Sequence, residues 1–207
     1  MKILNIKSIL VLALVFWFCA AAVVFLQQKK ISLRFSVYLN SFIGYMLLVP
    51  MFAALNFLFK QENGNVLVLF LLVLIWSMDV FAYFTGKMFG KNKLACNVSP
   101  GKSWEGFIGA LTLTLMLSVA IYYMAANNII PFLHNITTNG LLVFLPLILV
   151  VSGFTVVGDL FESVIKRLNN VKDSGNILPG HGGLLDRLDS LTAAAPIFAL
   201  IWIYFYV

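Results

Sequence analysis

Residues 141–167 read LLVFLPLILVVSGFTVVGDLFESVIKR, an uncharged apolar run that passes directly into a charged segment. The run from Leu141 to Val157 is close to the roughly 20 apolar residues that a transmembrane helix needs. Asp159, Ser163 and Lys166 follow at i, i+4 and i+7, so on a helix they share one face. The stretch therefore predicts a spanning helix that continues out of the membrane and presents polar groups there.

The composition of the whole chain agrees with a membrane protein. Of its 207 residues, 61% are hydrophobic and only 11% are charged, and the mean hydropathy is +0.97. Soluble domains carry about 45–50% apolar and about 25% charged residues. These values exclude an ordinary soluble enzyme, a disordered tail and a repeat solenoid, and they predict one all-α polytopic domain over residues 1–207.

Six apolar runs divide the chain into about six transmembrane helices, a number that a 207-residue chain accommodates with short loops. We expect N-terminal helices within 1–64 and a catalytic core over about 65–207. The runs cover residues 9–26, 35–59, 66–84, 107–126, 141–157 and 184–207.

The first run has two interpretations. Lys2 and Lys7 before an apolar stretch resemble a signal peptide, whereas 18 apolar residues (9–26) followed by Gln27 and Gln28 favour a retained helix.

The basic residues are distributed unevenly between the two sides that six spans define. Three lie on one side, namely Lys2, Lys7 and Lys60, and the other side receives eleven of the 14. The positive-inside rule makes the eleven-cation side cytoplasmic and places both termini on the opposite side. Those eleven are Lys29, Lys30, Arg34, Lys87, Lys91, Lys93, Lys102, Lys166, Arg167, Lys172 and Arg187.

Seven of the eight acidic residues fall on or beside that same side, and only Glu62 does not. Carboxylates and hydroxyls without paired His or Cys suit a hard cation such as Mg²⁺. The basic residues Lys166, Arg167, Lys172 and Arg187 suit phosphate groups. The segment 158–190 therefore predicts metal-assisted phosphoryl chemistry at the membrane surface.

A second polar segment covers residues 79–106. Gly86-Lys87 and Gly90-Lys91 predict a basic loop, and Ser99 to Ser103 lead into a helix that begins at Trp104-Glu105. Gly101-Lys102-Ser103 lacks the upstream glycine of a P-loop, since position 96 is cysteine, and no strand precedes it, so we reject that interpretation. Asp79, near the end of the third run, is predicted to be functional because acids at membrane depth are costly.

The chain resembles the phosphatidate cytidylyltransferases, also called CDP-diacylglycerol synthases. Their signature S-x-x-K-R-x4-K-D-x-G-x3-P-G-H-G-G-x-x-D-R-x-D is matched from Ser163 to Asp189, and the resemblance extends over about residues 76–196. Ala82-Tyr83-Phe84, Ser99-Pro100-Gly101-Lys102 and Trp104-Glu105-Gly106 also resemble that family. Typical bacterial members are longer at the N-terminus and carry more spans.

The resemblance implies an enzyme that joins phosphatidate to CTP, giving CDP-diacylglycerol and pyrophosphate in phospholipid biosynthesis. It implies a cytoplasm-facing site in a membrane fold, expected in the bacterial inner membrane, with Mg²⁺ and an accompanying K⁺. By resemblance, the positions matching Asp159 and Asp186 surround the metals. The predicted catalytic residues are Asp159, Ser163, Lys166, Asp173, His181 and Asp186, and the predicted substrate-binding residues are Asp79, Lys102, Glu105, Arg167, Lys172, Arg187 and Asp189.

Several alternatives stay open at this point. A related polyprenol or archaeal-lipid cytidylyltransferase or kinase would use similar groups, and a shortened inactive relative would act as a membrane scaffold. A transporter is disfavoured because the acids gather at helix ends and in loops, not along the spans. Expected partners are CTP, phosphatidate, the lipid bilayer and a second copy of the chain in a homodimer, with no nucleic acid. Cys19 and Cys96 have no metal-type spacing, and neither is assigned a function.

Overall fold

The computed structural model describes residues 3–28, 36–175 and 182–207. Six helices within them are long and apolar enough to cross a membrane, which confirms the predicted all-α polytopic class. They are α1 (Ile3–Gln28), α2 (Val37–Phe59), α3 (Gly64–Phe89), α4 (Trp104–Ala126), α5 (Leu141–Leu168) and α6 (Leu185–Phe205). A 3₁₀ helix, Pro131–Thr137, lies between α4 and α5.

Several helices are longer than the apolar runs that predicted them. The helix α5 continues eleven residues beyond Val157, as the spacing of its polar residues predicted, and α6 begins at Leu185, next to the expected start of the sixth run at residue 184. The helix α3 runs to Phe89, so Gly86 and Lys87 belong to its last turn. The predicted basic loop is therefore shorter than expected, because apolarity marks the membrane-embedded length of a helix and not its hydrogen-bonded length.

The helix α6 forms the centre of the bundle and packs against α1, α2, α3 and α5. Every residue from Ser190 to Leu200 is buried, including three consecutive alanines, Ala193 to Ala195. Small side chains let neighbouring backbones approach closely, which favours helix packing where lipid removes most of the hydrophobic driving force. The core of the fold therefore lies around α6.

The helix α1 contributes to this core through one face. Leu10, Ala13 and Trp17 are completely buried, and the Trp17 ring meets the edge of Phe161 on α5 at 5.8 Å between centroids. Its helix also contacts α2 and α6. The first apolar run therefore packs as an integral element of the bundle.

The helices α3 and α4 approach each other through small residues near their connection. A Cβ atom at Gly106 would lie 3.1 Å from the Ala82 carbonyl oxygen and 3.1 Å from the Gly86 Cα. The Thr85 hydroxyl lies 3.0 Å from the Gly106 carbonyl oxygen on the neighbouring helix. This contact fixes where α4 begins relative to the end of α3.

A short antiparallel hairpin joins these two helices. Its strands are β1 (Lys93–Ala95) and β2 (Ser99–Ser103), with Lys93 opposite Ser103 and Ala95 opposite Ser99. The strand β1 does precede Gly101-Lys102-Ser103, so the expectation that no strand precedes the motif is wrong. The three residues themselves lie in the extended strand β2 and not in a phosphate-wrapping loop, so the P-loop interpretation stays rejected. We call the end of the bundle that carries this hairpin and the described parts of the α5–α6 connection (169–175 and 182–184) the polar end.

Candidate functional site at the polar end of the bundle

A cavity of about 390 Å³ opens at the polar end between α3, the hairpin, α4 and α5. Its polar lining consists of Asp79, Tyr83, Lys102, Ser103 and Asp159, each contributed by an element whose end lies there. The remaining lining is glycine and apolar, with Met78, Ala82, Leu94, Gly101, Gly106, Phe107 and Val156. A cavity with an apolar wall and a few charged groups suits an amphiphilic ligand.

Lys102 and Asp159 form an ion pair across this cavity, although 57 residues separate them in sequence. Their side chains are 26% and 27% exposed, so both remain accessible to a ligand. Asp79 on α3 and Asp189 on α6 lie within electrostatic range of the Asp159 carboxylate. The structure thus brings together four predicted site residues from three helices and one strand.

A second charged cluster surrounds Lys166. Its ammonium nitrogen lies 2.7 Å from Glu162 Oε2 and 2.6 Å from Asp186 Oδ1. Glu162 and Lys166 are one turn apart on α5, whereas Asp186 lies in the first turn of α6. Lys166 therefore joins the extension of α5 to the first turn of α6.

The other oxygen of Asp186 closes the connection between these helices. Asp186 Oδ2 accepts hydrogen bonds from the Ser174 backbone N–H (2.9 Å), the Ser174 hydroxyl (2.9 Å) and the Gly183 N–H (2.7 Å). A Cβ atom on Gly183 would collide with Ser174 Oγ. Gly182 has φ +83°, a conformation that glycine adopts without strain. Gly182 and Gly183 therefore lie where a side chain would strain the backbone or collide with Ser174.

The other predicted residues lie nearby with different exposure. Ser163 is half-buried on α5, one turn after Asp159. The side chains of Arg167, Lys172, Asp173 and Arg187 are exposed at the polar end. His181 lies outside the described residues, as do the signature residues Pro179 and Gly180.

Glu105 is placed beside the hairpin and does not line the cavity. Its carboxylate accepts hydrogen bonds from the backbone N–H groups of Lys91 (3.0 Å) and Asn92 (3.1 Å) and from Asn92 Nδ2 (2.7 Å). Its role in substrate binding stays a prediction. In the structure, both of its carboxylate oxygens accept hydrogen bonds from the protein itself.

Glu162 is a charged member of this site that the residue-level predictions omitted. Only 8% of the residue is exposed, and its carboxylate lies against Lys166. Two signals in the sequence pointed to it: it is one of eight acidic residues, and it stands at i, i+4 to Lys166. A carboxylate and an ammonium at this spacing pair on a helix.

The donor chemistry of the site fits Mg²⁺. Asp79, Asp159 and Asp189 offer hard oxygen ligands from three helices, although the described residues contain no group of three or more His, Cys, Asp or Glu side chains arranged around one cation position. Mg²⁺ is usually held by one or two carboxylates together with substrate phosphates. Asp159 and Asp186, the two predicted ligands, belong here to different clusters, one paired with Lys102 and the other with Lys166.

Comparison with known proteins identifies the family of the chain. The model of the cytidylyltransferase family matches residues 2–205. A phosphatidate cytidylyltransferase of Pseudomonas aeruginosa is 40% identical over 196 residues, which cover 94% of this chain and 69% of that protein. Proteins of the same name from Haemophilus influenzae and Bacillus subtilis are 48% and 41% identical over 145 residues, covering 70% of this chain and 48% of each protein.

The chain thus spans 48% to 69% of the length of these three relatives. Because the family model covers nearly all of the sequence, including every residue of the cavity and of the Lys166 cluster, the chain belongs to the cytidylyltransferase family.

Proposed function

We propose that this chain is a phosphatidate cytidylyltransferase, which transfers CMP from CTP to phosphatidate and releases pyrophosphate. The observation that carries the proposal is the meeting of lysines and carboxylates beside a partly apolar cavity at the polar end of a membrane bundle. Relatives named phosphatidate cytidylyltransferase support the choice of substrates. The site suits one polyanion that arrives from water and another that is anchored in the bilayer.

The chemistry requires no nucleophile from the protein. A phosphate oxygen of phosphatidate attacks the α-phosphorus of CTP, a new P–O bond forms, and the bond to the β-phosphate oxygen breaks. The electron pair leaves with pyrophosphate. Since the nucleophile is already an anion, the protein must chiefly position two polyanions and offset their repulsion.

We assign these tasks to the charged groups of the two clusters. Lys102 and Lys166 meet phosphate oxygens, and Ser163 adds a hydroxyl contact near them. Arg167, Lys172 and Arg187 at the polar end raise the local concentration of anionic substrates. Asp173 and His181 orient neighbouring groups of the signature.

Mg²⁺ is the proposed cofactor, and when bound it supplies positive charge to the reacting phosphates. Asp159 and Asp186 are its proposed ligands, with Asp79 and Asp189 close to Asp159. An accompanying K⁺ and a homodimer stay predictions, testable by K⁺ titration of turnover and by light scattering of the detergent complex.

The proposed setting is the bacterial inner membrane with the polar end in the cytoplasm. Eleven of 14 basic residues lie in segments assigned to that side, which supports this orientation. CTP would then reach the site from the cytoplasm. Phosphatidate would enter from the bilayer with its phosphate at the level of the polar end.

The decisive experiment follows two labels of CTP. Purified protein in detergent is incubated with phosphatidate, Mg²⁺ and CTP labelled on the α- or the γ-phosphate. We expect the α-label to enter the lipid and the γ-label to leave in pyrophosphate. A γ-label in the lipid would instead identify a kinase, and no label in the lipid with folded protein would favour a scaffold or another lipid acceptor.

Variants of the metal residues test the mechanism in the same assay. We expect Asp159→Asn and Asp186→Asn to lower turnover by about 100-fold or more, since each replaces a carboxylate ligand of the cation that offsets the charge of the reacting phosphates. Chelation of divalent cations should abolish turnover, and added Mg²⁺ should restore it. Glu62→Gln, on the opposite side of the bundle, is the matched control. Near-normal turnover in folded Asn variants would overturn the metal assignment.

A further inference from the structure

Glu105 connects the start of the hairpin to the first turn of α4. Both of its carboxylate oxygens are engaged: Oε2 accepts from the Lys91 and Asn92 N–H groups, and Oε1 accepts from Asn92 Nδ2 at 2.7 Å. Its oxygens are therefore occupied by three donors of the segment that enters β1.

The same turn of α4 also holds the end of the hairpin. The Trp104 N–H donates to the Asn92 carbonyl oxygen at 2.9 Å, so Asn92 is bound through its N–H, its side chain and its carbonyl. Ser103, the last residue of β2, caps α4 by accepting a hydrogen bond from the Gly106 N–H at 3.1 Å. Both ends of the hairpin are thus fixed to the N-terminus of α4.

Lys102 is the residue whose position depends on this attachment. It precedes the cap Ser103 in β2, lines the cavity and pairs with Asp159. A rotation of the hairpin about its attachment would move the Lys102 ammonium away from α5. Glu105, in contrast, does not line the cavity.

We propose that Glu105 is a positioning residue that holds the β1–β2 hairpin so that Lys102 faces Asp159 and the bound substrates. This inference rests on the proposed function, because the activity that reports on Lys102 is cytidylyl transfer. It assigns Glu105 an indirect role in place of the substrate contact that its sequence position predicts. The carboxylate satisfies backbone donors, and Lys102 meets the ligand.

A double-mutant cycle separates the two roles. We expect Glu105→Ala to lower kcat/KM about tenfold in the native background and to cause almost no further loss in the Lys102→Ala background. Two residues that contacted substrate independently would instead multiply their losses. Glu105→Gln, which keeps one carbonyl oxygen as an acceptor, should lie between Glu105→Ala and the unmodified chain.

Hydrogen exchange supplies a readout that does not depend on activity. Glu105→Ala should speed amide exchange over residues 91–103 and leave α5 and α6 unchanged, whereas Glu62→Ala, an exposed glutamate in the turn before α3, should change neither. Multiplicative losses in the cycle, or unchanged exchange in 91–103, would overturn the proposal. If the unmodified chain shows no cytidylyl transfer, the proposed function fails, and the exchange experiment still tests the attachment of the hairpin.

Discussion

Lys166 lies between two carboxylates, and only one of them belongs to its own helix. Glu162 lies one turn earlier on α5, and Asp186 comes from α6, with O···N distances of 2.7 and 2.6 Å. Asp186 has three further donors, but Glu162 is 8% exposed and has Lys166 as its ion-pair partner. The two acids therefore depend on Lys166 to different degrees.

This difference predicts the stability of two variants. Breaking a buried ion pair costs about 3–5 kcal/mol. Because the Lys166 side chain is 18% exposed, we expect Lys166→Met to cost less, on the order of 2 kcal/mol. Adding Glu162→Gln removes the uncompensated carboxylate and should recover most of that loss. Thermal unfolding midpoints in detergent measure both, and a double variant as unstable as the single one would contradict the account.

Among the elements, α5 contributes most to the site because it continues beyond its apolar run. The extension from Gly158 to Leu168 carries Asp159, Glu162, Ser163 and Lys166. It crosses α6 at Gly158, where a Cβ atom would lie 2.6 Å from the Asp189 carbonyl oxygen and 3.1 Å from the Ala193 Cβ. The close approach of α5 and α6 therefore depends on the absence of a side chain at Gly158.

Two glycines of α5 provide a matched test of this crossing. Gly158→Ala should force the helices apart at a cost of about 1–3 kcal/mol, displace Asp189 and lower turnover. Gly153→Ala places its Cβ where no atom lies within 4 Å, so it should be neutral or slightly stabilising. Unfolding midpoints and cytidylyl transfer are measured for both. Equal behaviour of the two variants would show that the crossing tolerates a methyl group.

At the scale of the whole molecule, the two ends of the bundle differ in the segments that they carry. The hairpin and the α5–α6 connection lie at one end with the site, and the turn carrying Lys60 and Glu62 and the 3₁₀ helix lie at the other. This arrangement agrees with the uneven distribution of basic residues along the sequence. The proposed orientation, with the site facing the cytoplasm, therefore rests on the positive-inside rule.

The native cysteines allow this orientation to be measured. Cys96 is exposed in the hairpin turn, and Cys19 is exposed on the apolar helix α1. In a Cys19→Ala background we expect a membrane-impermeant maleimide to modify Cys96 only after spheroplasts are permeabilised. In a variant lacking both cysteines, Thr138→Cys on the opposite loop should react in intact spheroplasts. The reverse labelling pattern would show that the orientation in the membrane is the opposite of the proposed one.

The number of spans, their class and the end that carries the chemistry follow from the sequence. Hydropathy is a local sum over about 20 residues, so each of the six helices is detectable without knowledge of its neighbours. The continuation of α5 also follows, since Asp159, Ser163 and Lys166 keep helical spacing beyond the apolar run. The C-terminal end of α3 could not be predicted in this way, because the last turn of the helix contains polar residues that hydropathy does not assign to the span.

The pairing of the site residues is decided by the tertiary structure. Lys102 meets Asp159 across 57 positions, Asp186 joins Ser174 to Gly183, and Glu105 holds the hairpin and not the cavity. The helices that carry these residues approach closely at two glycines, Gly158 between α5 and α6 and Gly106 between α3 and α4. Residue types and spacing predict which groups gather at one end, whereas helix packing sets which atoms touch.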